Sequence, residues 1–212
     1  MTTKLYKYAR TYHLPYSRTR TDDDKILTSD DHLVGKYVII TEKMDGENST
    51  LYNDDYHARS LDGRHHPSRD WLKRFHADFA HEIPEGMRIC GENLYAKHSI
   101  GYENLDSYFY VFSIWEGDVC LSWIDTLMWC DLLGLTPVKV LYEGTYTREV
   151  GENLAKSLDF ETQEGFVVRL EESFLYDDFK SSVAKFVRPK HVQTEKHWMQ
   201  AESVPNKLKE DK

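Results

Sequence analysis

Lys43, Glu92, Glu164 and Lys185 have the chemistry of a group-transfer site if the fold brings them together. A lysine attacks only when neutral, so its site must lower an intrinsic pKa of ~10.4. Burial and neighbouring positive charge both do so. Val183-Ala184-Lys185-Phe186-Val187-Arg188 offers two cations on an otherwise apolar run, where a lysine is costly unless it meets an anion. Glu164-Gly165-Phe166-Val167-Val168-Arg169 puts a carboxylate and a guanidinium at the ends of a strand-forming stretch. Its glycine lets a ligand approach the backbone. Cys90-Gly91-Glu92-Asn93-Leu94 repeats the theme of a carboxylate directly after a strand glycine. Two such carboxylates near a lysine suit a hydrated Mg²⁺, a hard cation that prefers oxygen ligands. Each string taken alone also reads as an ordinary turn, and Lys185 as an edge-strand lysine pointing to water.

The stretch 41–48, Thr-Glu-Lys-Met-Asp-Gly-Glu-Asn, sets Lys43 between two strand-forming runs. Asp45-Gly46 between such runs is a strong hairpin signal, and on that reading Lys43 is a solvated surface residue. The other reading holds Lys43 at the mouth of a pocket, with a strand before it and a turn after it.

The elements that must position these groups are mostly strands. Strands are expected over residues 33–41, 50–60, 87–93, 106–115, 119–121, 137–142, 164–170 and 182–187. Helices are expected after Ser68 as N-cap, with Trp71, Leu72, Phe75 and Phe79 at helical spacing, from Trp123 to Leu133 with Ser122 as cap and Gly134 at the end, and over 147–158. Irregular order with strands in excess favours an α+β fold with mainly antiparallel sheets. Residues 207–212 read as a frayed tail.

Bulk properties narrow the function classes. The chain has 212 residues, 40% of them hydrophobic, and suits one domain spanning 1–212. No apolar run approaches the ~20 residues of a membrane span, and the start lacks a secretory signal, so a cytoplasmic protein is expected. Three cysteines, Cys90, Cys120 and Cys130, without CxxC spacing argue for buried free thiols. A zinc site from His57, His65, His66 and Cys90 has no usual spacing. A net charge of -9 disfavours a broadly basic nucleic-acid clamp but leaves room for a local groove with Arg59, Arg69, Arg169, Lys185 and Arg188.

In order and approximate spacing, these strings resemble the covalent nucleotidyltransferase superfamily of RNA ligases, DNA ligases and capping enzymes. They are most similar to small RNA ligases related to phage RNA ligase 2. Lys43-Met44-Asp45-Gly46-Glu47-Asn48 resembles the family's nucleophile motif, including the asparagine of the RNA-ligase branch. His57-Ala58-Arg59-Ser60 resembles its phosphate-binding motif, and Gly91-Glu92-Asn93-Leu94 its third motif. Tyr110-Val111-Phe112-Ser113-Ile114 resembles the strand whose aromatic residue stacks on adenine, and the strings from Glu164 and Ala184 resemble its last two motifs. Val187 stands where many relatives carry a second lysine, with Arg188 after it.

The resemblance implies an α+β ligase adenylation domain and an ATP-dependent RNA ligase joining 3′-OH and 5′-phosphate ends of RNA, with a nicked duplex and a single strand both open as the form joined. Lys43 would attack ATP to form lysyl-AMP, assisted by Lys185 and by Mg²⁺ or Mn²⁺ held by Asp45, Glu92 and Glu164. Glu42, Asn48, Arg59, Phe112 and Arg188 complete the implied nucleotide and phosphate contacts, with Arg64, His65 and His66 as an RNA-phosphate loop. Too few residues follow Arg188 for the OB-fold or helical domain that relatives carry. The competing readings are a DNA ligase, a GTP-using capping-type enzyme, and a non-catalytic nucleotide- or RNA-binding module.

Overall fold

The structure is a computed structural model that describes residues 4–17, 24–61, 66–189 and 204–209. In chain order its elements are β1 (Tyr12–His13), β2 (Tyr37–Lys43), β3 (Glu47–Leu51), β4 (Tyr56–Ala58), α1 (Asp70–Phe79), β5 (Met87–Asn93), β6 (Phe109–Glu116), β7 (Val119–Cys120), α2 (Trp123–Leu132), β8 (Thr136–Pro137), β9 (Val140–Thr145), α3 (Arg148–Ser157), β10 (Gly165–Leu170), β11 (Phe174–Leu175), α4 (Phe179–Ser182) and β12 (Val183–Val187). Two sheets form, one of order β1-β12-β10-β2-β9, the other β11-β7-β6-β5-β3-β4 with β8 alongside β6. Pairing is antiparallel except for β1 on β12 and β8 on β6, as the α+β expectation requires.

Alternation of side chains along the first sheet divides the work of its two faces. Val38, Ile40, Phe166, Val168, Ala184 and Phe186 point outward and bury themselves with Tyr146, Val150 and Leu154, so α3 covers that face. The intervening positions, Thr41, Lys43, Val167, Arg169, Val183 and Lys185, line a cavity on the inner face. On the second sheet, Leu51, Ile89, Phe109, Val111 and Ile114 pack against Leu72, Phe79 and Cys130 of α1 and α2. Its inner face brings Asn48, Glu92, Phe112 and Cys120 to the same cavity. All three cysteines are free and buried, as expected.

Asp45-Gly46 does not close a hairpin. The strands it joins belong to different sheets, with β2 paired to β10 and β9, and β3 to β4 and β5. The physical reason is that both residues are committed elsewhere. The Gly46 N–H donates to Glu92 Oε1 at 3.1 Å, and Asp45 Oδ2 accepts from the Ser99 and Ile100 N–H groups, each at 2.8 Å, and from Ser99 Oγ at 2.6 Å. The hairpin lies one turn later, between β3 and β4, where the Tyr52 N–H donates to the Asp55 carbonyl.

A Cβ on Gly46 would stand 2.5 Å from the Asn93 carbonyl oxygen and 2.7 Å from Leu94 Cδ2. Gly46→Ala is therefore expected to cost about 1–3 kcal/mol by overpacking and to displace the nucleophile loop. Thermal melting read beside nucleotide binding checks this, and an unchanged Tm with unchanged binding contradicts it.

Three other expectations need correction. Residues 137–142 are two strands in different sheets, because Val138 leaves β8 to bury itself with Ile39, Leu94 and Tyr110. Ser68 is not the cap of α1; His66 Nδ1 accepts the Ser68 N–H at 3.3 Å and caps a 3₁₀ turn over Pro67–Arg69 that feeds the helix. Residues 207–209 are not frayed but hydrogen-bonded to the 94–106 loop. The remaining residues of that tail lie outside the described residues, as do Arg64 and His65.

Candidate active site

Three neighbouring strands deliver the chemistry-bearing groups on one face of the first sheet, within two residues of each other in register. In register, Lys43 at the end of β2 lies opposite Gly165 at the start of β10, and Lys185 of β12 lies opposite Val167. Glu164 immediately precedes Gly165, so its carboxylate reaches Lys43, and Lys43 Nζ donates to Glu164 Oε2. Gly165 allows this level to close: a Cβ there would be 2.0 Å from the Phe186 carbonyl oxygen. From the other sheet, β5 carries Glu92 opposite Asn48 of β3.

The electrostatics of this cluster are coupled. Burial alone would push the Lys43 ammonium down, but Glu164, Glu92 and Asp45 outweigh it, and the net shift is upward. The expectation that surrounding cations lower the Lys43 pKa is thus reversed here. Glu164 is raised by burial against the opposing pull of Lys43, and burial pushes Glu92 up to about 8. Lys185 moves the other way, down to about 8, through burial and then the positive charge of Lys43. Lys43, Glu92 and Glu164 are thus all shifted toward holding their protons, beside an ammonium, Lys185, shifted toward losing its own.

A cavity of about 700 Å³ extends from this cluster between the sheets. Its apolar inner part is built by Val138, Val167, Phe174, Val183 and Phe112. Phe112 sits where the β5–β6 register slips between Cys90 and Gly91, a bulge of the kind that re-aims a side chain. Tyr8, from the segment before β1, meets the Phe112 ring edge-on at 5.2 Å. Glu42 lines the wall, its carboxyl raised by burial. Arg59, exposed, stands at the outer end with Ser60, His66 and the ion pair of Arg69 with Glu47, in which Arg69 Nε donates to Oε2 at 2.8 Å.

The structure thus gathers Glu42, Lys43, Asn48, Arg59, Glu92, Phe112 and Lys185 around one cavity, with Glu164 bonded to Lys43 at its rim. Asp45 lies beside the cluster, but its Oδ2 is occupied by the three donors of residues 99 and 100. Arg188 does not line the cavity. Buried, it donates to the Phe160 carbonyl and, at 3.3 Å, to Ser99 Oγ, so it braces the loop that holds Asp45.

Arg169, which the sequence offers only as part of a local basic groove, also lines the cavity. It is 4% exposed; Nε donates to the Leu170 carbonyl at 3.0 Å and Nη2 to the Leu121 carbonyl at 2.7 Å. Nη1 is buried and meets no acceptor among the described residues. Period-2 alternation from Lys43's partner strand was the available signal, since Gly165, Val167 and Arg169 share a face.

A model of the RNA ligase family matches residues 36–187. The chain belongs to the RNA ligase family. The matched region contains every motif from Lys43 to Lys185, and no curated protein sequence reaches a match. Among solved structures this RNA ligase family chain is similar to an alanine mutant of the Naegleria gruberi RNA ligase in apo form, with a TM-score of 0.55 and 18% identity over 75% of this chain and 51% of that one. It is similar to a putative ATP-dependent DNA ligase from Aquifex aeolicus, with a TM-score of 0.54 and 18% identity over 87% of this chain and 50% of that one. It also resembles another Naegleria gruberi mutant with ATP and Mn, at a TM-score of 0.54 and 17% identity, over 75% of this chain and 51% of that one. These likenesses establish the adenylation-domain fold, and the chain spans about half the length of each structure.

Proposed function

We propose that this chain is an ATP-dependent RNA ligase that forms lysyl-AMP on Lys43, passes the AMP to an RNA 5′-phosphate, and joins that end to a 3′-hydroxyl. The observation that carries the reading is the Lys43–Glu164 pair at the rim of a cavity also lined by Glu92 and Lys185. Attack requires the pair to open: Lys43 Nζ must leave Glu164, lose a proton, and bond to the α-phosphorus as the bond to pyrophosphate breaks. Lys185 offers a cation to the α-phosphate where charge develops. The base fits against Phe112, Val138 and Val167, with Glu42 beside it and Arg169 Nη1, which meets no acceptor among the described residues, available to donate to it. Arg59 and the Asn48 Nδ2 are the donors offered to the phosphate end, while the buried Asn48 Oδ1, which meets no donor among the described residues, can accept only from a ligand hydroxyl or amine.

A divalent ion fits the donor set in a limited way. No group of three or more His, Cys, Asp or Glu side chains among the described residues makes a metal cage, and His65 of the zinc reading lies outside the described residues. Glu92 and Glu164 alone match Mg²⁺, which binds through one or two carboxylates and substrate phosphates and keeps several waters. Such an ion would neutralise phosphate charge. Asp45, with Oδ2 engaged, serves the loop more directly than a metal.

Purified protein incubated with α-labelled ATP and Mg²⁺ should acquire a covalent label and transfer it to 5′-phosphorylated RNA. Preferential labelling by GTP would favour a capping-type enzyme, and transfer confined to all-DNA nicks the DNA ligase suggested by the Aquifex aeolicus likeness. Tight ATP binding without any adduct would support a non-catalytic module. Arg169→Met should weaken ATP half-saturation roughly 10- to 100-fold, the loss of a charged hydrogen bond, with the saturated labelling rate little changed. Equal half-saturation in the variant would remove Arg169 from the nucleotide site.

A further inference from the structure

Residues 204–209 run as an extended strap along the loop 94–106, with bridges at Ala96–Pro205 and Leu105–Leu208. Backbone bonds stitch the two: Lys97 N–H to the Val204 carbonyl at 2.8 Å, Asn206 N–H to the Tyr95 carbonyl at 2.9 Å, and Lys207 N–H to the Tyr102 carbonyl at 2.9 Å. Asn206 is the centre of this contact. It is 4% exposed, and its side-chain amide uses both ends. Nδ2 donates to the Leu94 carbonyl at 2.7 Å, and Oδ1 accepts the Tyr102 N–H at 2.9 Å. Its own carbonyl accepts the Tyr108 hydroxyl at 2.9 Å. An amide supplies donor and acceptor at one position, which neither a carboxylate nor an apolar residue can do.

The loop fixed in this way is the one that grips the nucleophile segment. The Asp45 N–H donates to Tyr102 Oη at 2.9 Å, and Asp45 Oδ2 takes its three bonds from Ser99 and Ile100. Asp45 lies two residues beyond Lys43, whose side chain is 24% exposed and must point at Glu164, which precedes the neighbouring strand of the same sheet. A continuous path of packed, hydrogen-bonded groups therefore runs from Asn206 through Tyr102 to Asp45 and Lys43.

We propose that Asn206 is a positioning residue for Lys43, acting through Tyr102 and Asp45. The inference rests on the reading of Lys43 as the adenylylated nucleophile and extends it to a segment outside every ligase motif. The strand-borne inner cavity of Phe112, Val167 and Arg169 is built independently of the strap, so nucleotide affinity and nucleophile placement are separable. A displacement of the order of 1 Å at a reacting group can cost about 100-fold in rate.

The test is single-turnover labelling over a range of ATP concentrations, with melting curves for each protein. Asn206→Ala is expected to lower the maximal labelling rate by about 10- to 100-fold while ATP half-saturation stays within about twofold. Tyr102→Phe, which keeps the ring and removes only the hydroxyl on the Asp45 N–H, should give a drop of the same kind. It carries the test if Asn206→Ala fails to fold. The double variant should be no slower than the worse single one, since both interrupt one path. Lys207→Ala and Lys209→Ala, which lose only the exposed ion pairs to Glu103 and Asp106, should leave the rate unchanged. A purely structural strap would lower Tm and leave the maximal rate intact; that result, or rate losses that multiply in the double variant, overturns the proposal. Absence of any adduct in the unaltered protein overturns the ligase function itself, and this inference with it.

Discussion

Lys43→Ala is expected to abolish covalent labelling by α-labelled ATP while the protein still binds nucleotide. The cavity keeps Phe112, Val138, Val167 and Arg169, so affinity for the base survives the loss of the nucleophile. Folding should respond as well. Removing the lysine leaves Glu164 and Glu92 without the cation they face, and breaking a buried pair by deleting one partner typically costs about 3–5 kcal/mol. Both carboxyls are already raised, and without Lys43 they gain further reason to hold protons. A carboxyl with a raised folded pKa binds more protons folded than unfolded. Stability is then greatest near the unfolded carboxyl pKa and is lost as pH rises through the folded value. Lys43→Ala should accordingly melt higher near pH 5 than near pH 8, a slope steeper than that of the unaltered protein. Labelling that persists in Lys43→Ala would remove the lysine from its role, and a flat pH dependence of Tm would remove the two carboxylates from its neighbourhood.

The second large effect is a pH profile for adduct formation that levels off near pH 8, together with the loss of that break in one variant. On the acid side the rate rises with pH, because Lys43 holds its proton above the ordinary lysine range against Glu164 and Glu92. Near pH 8 the rise stops, because from there Lys185 loses the charge it offers to the α-phosphate as fast as Lys43 yields its proton. Lys185→Ala should lower the rate about 10²–10³-fold, the usual scale for removing one preorganised donor to developing charge. Lys185→Arg should be slow as well, since a guanidinium does not superpose on an ammonium, but its charge does not titrate. Its profile should go on rising through pH 8. A break that remains near pH 8 in Lys185→Arg would assign that ionisation elsewhere.

Most of the fold and much of the site were legible because they rest on local rules. Alternation along 164–170 and 182–187 separates an apolar outer face from a chemical inner face, and Ser122 and Thr147 cap their helices as short hydroxyl residues do. What the sequence hid was tertiary. Asp45-Gly46 carries hairpin chemistry, yet Glu92 and residues 99 and 100 take its hydrogen bonds and send the next strand to another sheet. Arg188 has the charge for a phosphate contact, but its register turns it toward Phe160 and Ser99. Residues 207–212 read as a frayed tail, whereas Asn206 just before them reaches across more than a hundred residues to the loop beneath the nucleophile. Residues in register with a known motif are readable; residues that touch it from far along the chain are not.

The most direct test is to locate the adduct. Protein incubated with ATP and Mg²⁺, digested and analysed by mass spectrometry, should carry AMP in a phosphoramidate on the peptide containing Lys43, with pyrophosphate released in equal amount. AMP on Lys185 or another residue, or nucleotide that binds in the cavity and never becomes covalent, would contradict the account.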